Sequence, residues 1–216
     1  MFFDRFDAGK KLADELILHS FVRPVVLAIP RGGVIIGIVV MKRLSCEFDL
    51  IIPRKIGAPG NPELAIGAVI SKDEVEINEN LKKNLNVSED YIKSSIEEEL
   101  KEITRRRKKY LGDREPVELV KKTAIIVDDG LATGYTALAA VKAIKKRKPE
   151  KVVLAVPVGP RDTIDYLRKE ADEVIFLHSP RIFYAVGQFY KSFTQVSDEV
   201  VIEKIKEIIE DKKIIK

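Results

Sequence analysis

Residues 123–136 read Thr-Ala-Ile-Ile-Val-Asp-Asp-Gly-Leu-Ala-Thr-Gly-Tyr-Thr. An apolar run ends in two adjacent carboxylates, Asp128 and Asp129, and after a short spacer the sequence Thr133-Gly134-Tyr135-Thr136 opens a helical period. The N–H groups of a helix's first turn lack partners within the helix and carry the positive end of its dipole, so with two hydroxyls they seat a phosphate dianion. Ionised carboxylates only accept hydrogen bonds, which suits a vicinal diol, or a cation held through water. A phosphate and a diol a few ångströms apart describe a ribose 5-phosphate.

Such a site needs a strand to end at the carboxylates and a helix to begin at the hydroxyls. Three segments repeat that pattern of apolar β-rich run, Gly- or Pro-containing turn and helical period. They are Val25–Ile29 before Pro30-Arg31-Gly32-Gly33, Ala124–Val127 before Asp128–Thr136, and Val152–Val156 before Pro157–Arg161. Strands that are apolar throughout and alternate with helices imply a parallel sheet covered on both faces. The expected fold is therefore α/β, a doubly wound, mainly parallel sheet of five to six strands. Further strands are expected at Phe48–Pro53, Leu64–Ile70, Glu74–Ile77 and Val174–Leu177. Helices are expected near Arg5–Leu18, Val34–Leu44, Tyr135–Lys146, Asp162–Ala171 and Asp198–Glu210.

Residues 78–122 depart from this rhythm. Ile92, Ile96, Leu100, Ile103 and Tyr110 share one helical stripe, Ser88 is a candidate N-cap, and Glu89 and Asp90 fall in the first turn. The segment reads as one long amphipathic helix inserted into a single domain, residues 1–216.

The motif at 123–136 resembles the fingerprint of the type I phosphoribosyltransferases. The resemblance spans about Arg23 to Gly187, with the inserted helix outside it. It implies that Asp128 and Asp129 bind the ribose hydroxyls of phosphoribosyl pyrophosphate, and that Ala132, Thr133, Gly134, Tyr135 and Thr136 wrap its 5-phosphate. Arg31, Gly32 and Gly33 resemble the family's pyrophosphate loop, which often holds a non-proline cis peptide, expected here before Gly32 or Gly33. Arg54 and Lys55, followed by a Gly- and Pro-rich stretch to Glu63, are similar to the basic pair and flexible catalytic loop that close over the pyrophosphate.

Beyond the last core strand, residues 179–197 lie where the family places its small hood. There Tyr184 would stack on the acceptor ring and Val186 would offer backbone contacts. Ala132 stands where hypoxanthine-guanine enzymes carry a third acid. The Ala-Thr-Gly form is closer to adenine phosphoribosyltransferases, with Glu63 matching their loop Glu, while the hood looks like the hypoxanthine-guanine pattern. The acceptor, a small heterocyclic base, thus stays open between subfamilies. The resemblance also implies Mg²⁺, carried mostly by substrate and water and met only indirectly by Asp128 and Asp129. A homodimer is expected.

Composition sets the remaining bounds. The 216 residues, 45% hydrophobic and 33% charged, fit one globular domain and exclude a disordered or collagenous chain. One cysteine, Cys46, permits no internal disulfide, and His19 and His178 are too far apart to suggest a transition-metal site. No apolar run approaches the roughly 20 residues of a membrane span, so no membrane partner and a cytoplasmic location are expected. The net charge of +4 resides in Arg105-Arg106-Arg107-Lys108-Lys109; the rest of the chain is slightly acidic. A run of that kind is ordinarily a solvated helix face, so nucleic acid is not the expected partner. It does motivate one alternative, a regulator that senses phosphoribosyl pyrophosphate and binds nucleic acid or a protein elsewhere.

Overall fold

The computed structural model describes residues 1–210, and at residue 63 the backbone alone. In chain order the elements are α1 (Arg5–Leu16), β1 (Val25–Ala28), α2 (Gly32–Leu44), β2 (Glu47–Leu50), β3 (Arg54–Ala58), β4 (Asn61–Ser71), β5 (Glu74–Ile77), α3 (Glu79–Asn84) and α4 (Glu89–Leu111). There follow β6 (Thr123–Val127), α5 (Tyr135–Lys146), β7 (Lys151–Val158), α6 (Arg161–Leu167), β8 (Glu173–His178), a 3₁₀ turn (Val186–Phe189) and α7 (Asp198–Glu210).

Five strands form one parallel sheet in the order β2-β1-β6-β7-β8. β1 and β6 are buried along their whole length, as strands covered on both faces must be. On β6, Ile125 and Val127 face a cluster that includes Leu12, Ile36, Val40 and Ile205 of α1, α2 and α7. Ala124 and Ile126 face Val141 and Ile144 of α5 and Ile164 and Leu167 of α6. Register pairs Val25 with Ala124 and Ala28 with Val127, so β1 and β6 end level. Counting parallel strands alone, the order is 2-1-3-4-5. Its switch point lies between β1 and β6, and open α/β sheets take their ligands at the carboxyl ends of the strands at such a point.

The second sheet is antiparallel, β3-β4-β5, and lies between α4 and α5. The parallel sheet has five strands, within the expected range, whereas the stretch after Arg54 and Lys55, expected as a loop, is a hairpin whose turn is at Pro59-Gly60. Backbone pairing on one side and α4 on the other hold that stretch in place.

The segment 78–122 also differs from a single helix. Asn78 caps α3 and Ser88 caps α4, its hydroxyl accepting from the Tyr91 N–H at 3.3 Å. Each cap begins a helix of its own. After Gly112 the chain runs without helix to β6.

Candidate functional site

β6 carries the acidic pair to the carboxyl end of the sheet, where the Ile29 N–H donates to the Val127 carbonyl at 2.9 Å and ties the two strand ends together. The Asp129 N–H donates to Asp128 Oδ1 at 2.8 Å. Asp129 Oδ2 accepts from Arg5 Nε at 2.7 Å, and the Asp129 carbonyl accepts from the Tyr190 hydroxyl at 2.6 Å. Desolvation at the strand end, and next the Asp129 charge, push the Asp128 carboxyl well above the usual carboxylate range. Burial likewise raises the Tyr190 hydroxyl, so it stays a donor.

Beyond the pair, the Leu131 N–H donates to the Val158 carbonyl at 2.8 Å and the Thr163 hydroxyl donates to the Ala132 carbonyl at 3.2 Å, which anchors the loop on β7 and α6. Gly134 turns the chain with φ of 77° and begins α5 without a side-chain cap. Only glycine takes that φ at no steric cost. The first-turn N–H groups of α5 are thereby left for an outside acceptor. Ala132, Thr133, Tyr135 and Thr136 around them are exposed.

The loop after β1 closes on the same place. Its non-proline cis peptide joins Pro30 to Arg31, one position before the expected sites. Gly32 and Gly33 open α2 in direct contact with the acidic pair. A Cβ at Gly32 would lie 1.9 Å from Asp129 Oδ2, and one at Gly33 would lie 2.8 Å from the Val127 carbonyl oxygen. Arg31 Nη1 is 3.6 Å from Asp198 Oδ1 at the start of α7. Arg31 and Gly32 line a cavity of about 330 Å³ together with Arg5, Phe193, Gln195 and Val196.

The basic pair sits on the hairpin. Arg54 Nε donates to Glu99 Oε2 of α4 at 2.6 Å, so the structure engages it with the inserted helix rather than with the acidic motif. Lys55 is exposed beside it, and the Tyr91 hydroxyl donates to the Gly57 carbonyl at 3.0 Å. The side chain of Glu63 lies outside the described residues. Of the two hood residues, Val186 lies against Gly130, where a Cβ would meet its Cγ1 at 2.6 Å. Tyr184 is 88% exposed.

Sequence reasoning missed Arg5, Glu99, Asp49 and Asp198. Asp49 and Asp198 pair with the basic run, whose Arg105, Lys108 and Lys109 remain exposed. Arg105 and Arg106 pair with Glu102 at 2.7 and 2.6 Å, Arg107 with Asp49 at 3.1 Å, Lys108 with Asp113 at 3.7 Å and Lys109 with Asp198 at 2.7 Å. The Lys109 and Tyr110 hydrogen bonds bring the Asp198 carboxyl down to about 2. No local signal identifies these partners; Arg5 and Asp129 are 124 positions apart.

Among the described residues, no group of three or more His, Cys, Asp or Glu is placed to hold a metal ion. Asp129 is already engaged by Arg5, so the donor set fits a cation met through water or ligand oxygens, the usual manner for Mg²⁺. No helix among the described residues is long and apolar enough to cross a membrane.

Level strand ends, a glycine-lined loop, an acidic pair and an uncapped helix start meet at the switch point of a doubly wound α/β fold. The chain belongs to the phosphoribosyl transferase domain family, whose profile matches residues 3–192. Proteins of two Mycobacterium tuberculosis strains, provisionally named phosphoribosyl transferases, are 41% identical over 203 residues, 94% of this chain and 46% of theirs. The chain thus spans about half the length of these relatives. A crystal structure of a Thermus thermophilus protein superposes with a TM-score of 0.84 at 36% identity, covering 96% of this chain and 99% of that one.

Proposed function

We infer that the chain transfers the 5-phosphoribosyl group of phosphoribosyl pyrophosphate to a nucleobase or related nitrogen heterocycle and releases pyrophosphate. The observation that carries this reading is the convergence of Asp128, Asp129, the α5 start and Gly32-Gly33 on one edge of the sheet. In the reaction the bond from the anomeric carbon to pyrophosphate oxygen breaks and a bond to the acceptor nitrogen forms, through a transition state with oxocarbenium character.

The protein's share is positioning and charge. Asp128 and Asp129 hold the ribose hydroxyls, and Ala132 to Thr136 receive the 5-phosphate. Arg31, Gly32 and Gly33 receive the pyrophosphate. Arg54 and Lys55 serve it only when Arg54 exchanges Glu99 for the ligand. Val186, against Gly130, borders the acceptor, with Tyr184 free to fold over the ring. Mg²⁺, when bound, neutralises charge on the leaving group.

The test is a panel of bases assayed with phosphoribosyl pyrophosphate and Mg²⁺ for pyrophosphate release. Asp128→Asn with Asp129→Asn abolishes turnover on this reading; full retention sinks it. Residues 105–109 each lie within an ion pair, which weakens the argument for a nucleic-acid-binding regulator, although Arg105 and Lys108 stay exposed. Titration with RNA and DNA at two salt concentrations checks that, since phosphate contacts weaken steeply with salt.

A further inference from the structure

Arg5 is held where the phosphoribosyl reading needs a cation but where the family resemblance names none. It opens α1, whose start is fixed by Asp4 accepting from the Asp7 N–H at 2.8 Å, and only 11% of its side chain is exposed. Nε donates to Asp129 Oδ2 at 2.7 Å, Nη1 donates to the Thr194 carbonyl at 2.8 Å, and Cζ stands 3.8 Å from the centre of the Phe193 ring. A guanidinium fixed on three sides loses little further freedom when it binds a ligand.

Two observations separate this from a structural pair. First, the side chain lines the 330 Å³ cavity, and Arg31 and Gly32 line it too. A guanidinium carries five N–H donors, so donors remain after the bonds to Asp129 and Thr194. Second, the position is set by the chemistry of a furanose. The anomeric carbon is bonded directly to the carbon bearing the 2-hydroxyl. A ribose whose hydroxyls rest on Asp129 therefore presents its leaving group within a few ångströms of whatever surrounds that carboxylate. Around Asp129 Oδ2 stand Gly32 and Arg5, both near enough that a Cβ on Gly32 would lie 2.9 Å from Arg5 Nε.

We propose that Arg5 is a ligand-binding residue of this site, contacting the diphosphate group at the anomeric carbon across the cavity it shares with Arg31. The inference rests on the phosphoribosyl reading. It assigns the N-terminal helix a direct part in the site, while Arg54 of the hairpin is occupied by Glu99. Two guanidinium groups beside a loop of small residues suit a diphosphate, which offers paired oxygens to each fork.

Calorimetric titration of the full chain with Mg²⁺ and inorganic pyrophosphate, and separately with ribose 5-phosphate, tests it on wild type, Arg5→Gln and Arg5→Lys. Arg5→Gln is expected to weaken pyrophosphate binding by about tenfold or more, the scale of one lost charge-assisted contact, and ribose 5-phosphate binding by far less. Arg5→Lys, which keeps the charge and loses the fork, recovers part of the loss. Unchanged pyrophosphate affinity in Arg5→Gln overturns the proposal while leaving the phosphoribosyl reading intact. Equal weakening of both ligands also overturns it, because Arg5 would then act only by holding Asp129. A wild-type chain that binds neither ligand overturns the functional reading, and this proposal with it.

Discussion

Replacing Gly32 by alanine puts a methyl carbon 1.9 Å from Asp129 Oδ2, 2.5 Å from Asp129 Cγ and 2.9 Å from Arg5 Nε. The backbone of Gly32 is fixed by the start of α2, so the carboxylate must swing away and give up its 2.7 Å bond from Arg5. Both side chains are largely shielded, at 11% and 16% exposure, so solvent screens the pair little. A hydrogen bond to a charged group contributes about 1.5–3 kcal/mol. For a chain of this size that lowers the melting temperature by about 3–12 °C. On the phosphoribosyl-transfer reading, displacing a reacting-group contact by an ångström costs on the order of a hundredfold in turnover. The decisive measurement is a double-mutant cycle by thermal or urea denaturation. With Asp129→Ala already present, the two closest obstructions are gone, and adding Gly32→Ala is expected to cost less than about 0.5 kcal/mol. Gly33→Ala is the contrast, because its Cβ would meet backbone, the Val127 oxygen at 2.8 Å and Asp128 Cα at 3.0 Å. Backbone cannot swing aside, so Gly33→Ala costs about 1–3 kcal/mol in either background. If Gly32→Ala destabilises the Asp129→Ala chain as much as the wild type, the pinch between loop and carboxylate is refuted.

Two further outcomes follow from the charges. The Asp128 carboxyl is raised in the folded state, so its ionised form is disfavoured there. The stability it contributes is complete below the unfolded carboxylate range and is lost as pH rises through the raised value. Asp128→Asn therefore leaves the melting temperature unchanged in acid and raises it progressively toward neutrality, and a gain independent of pH would contradict this. Asp49 is 3% exposed and accepts from Arg107, from the Val117 N–H at 3.0 Å and from the Leu50 N–H at 2.8 Å. Asp49→Ala leaves Arg107 uncompensated and costs about 3–5 kcal/mol by urea denaturation. Glu102→Ala, losing partners near the surface, costs about 1 kcal/mol or less; equal costs would show that the basic run is not anchored through Asp49.

The central parallel strands β1, β6 and β7 were legible because burial on both faces demands apolar runs, and such runs are local. In the antiparallel sheet β4 and β5 were legible, expected at Leu64–Ile70 and Glu74–Ile77, but β3, Arg54–Ala58, was not. Its Arg-Lys-Ile-Gly-Ala sequence has weak strand character and is extended because β4 supplies the ladder. The break between α3 and α4 was half visible: Ser88 is the cap, and Asn78 ten residues earlier is another.

The sequence by itself determined which groups meet at residues 128–136, since an apolar strand, two carboxylates and a glycine before a helix start lie within one short stretch of chain. Only the tertiary structure decided which charges those groups meet. Arg5 reaches Asp129, Arg54 turns to Glu99, and Arg107 and Lys109 of the basic run meet Asp49 and Asp198. Pairing depends on distance in space, and the fold brings ends of the chain together that no local spacing relates.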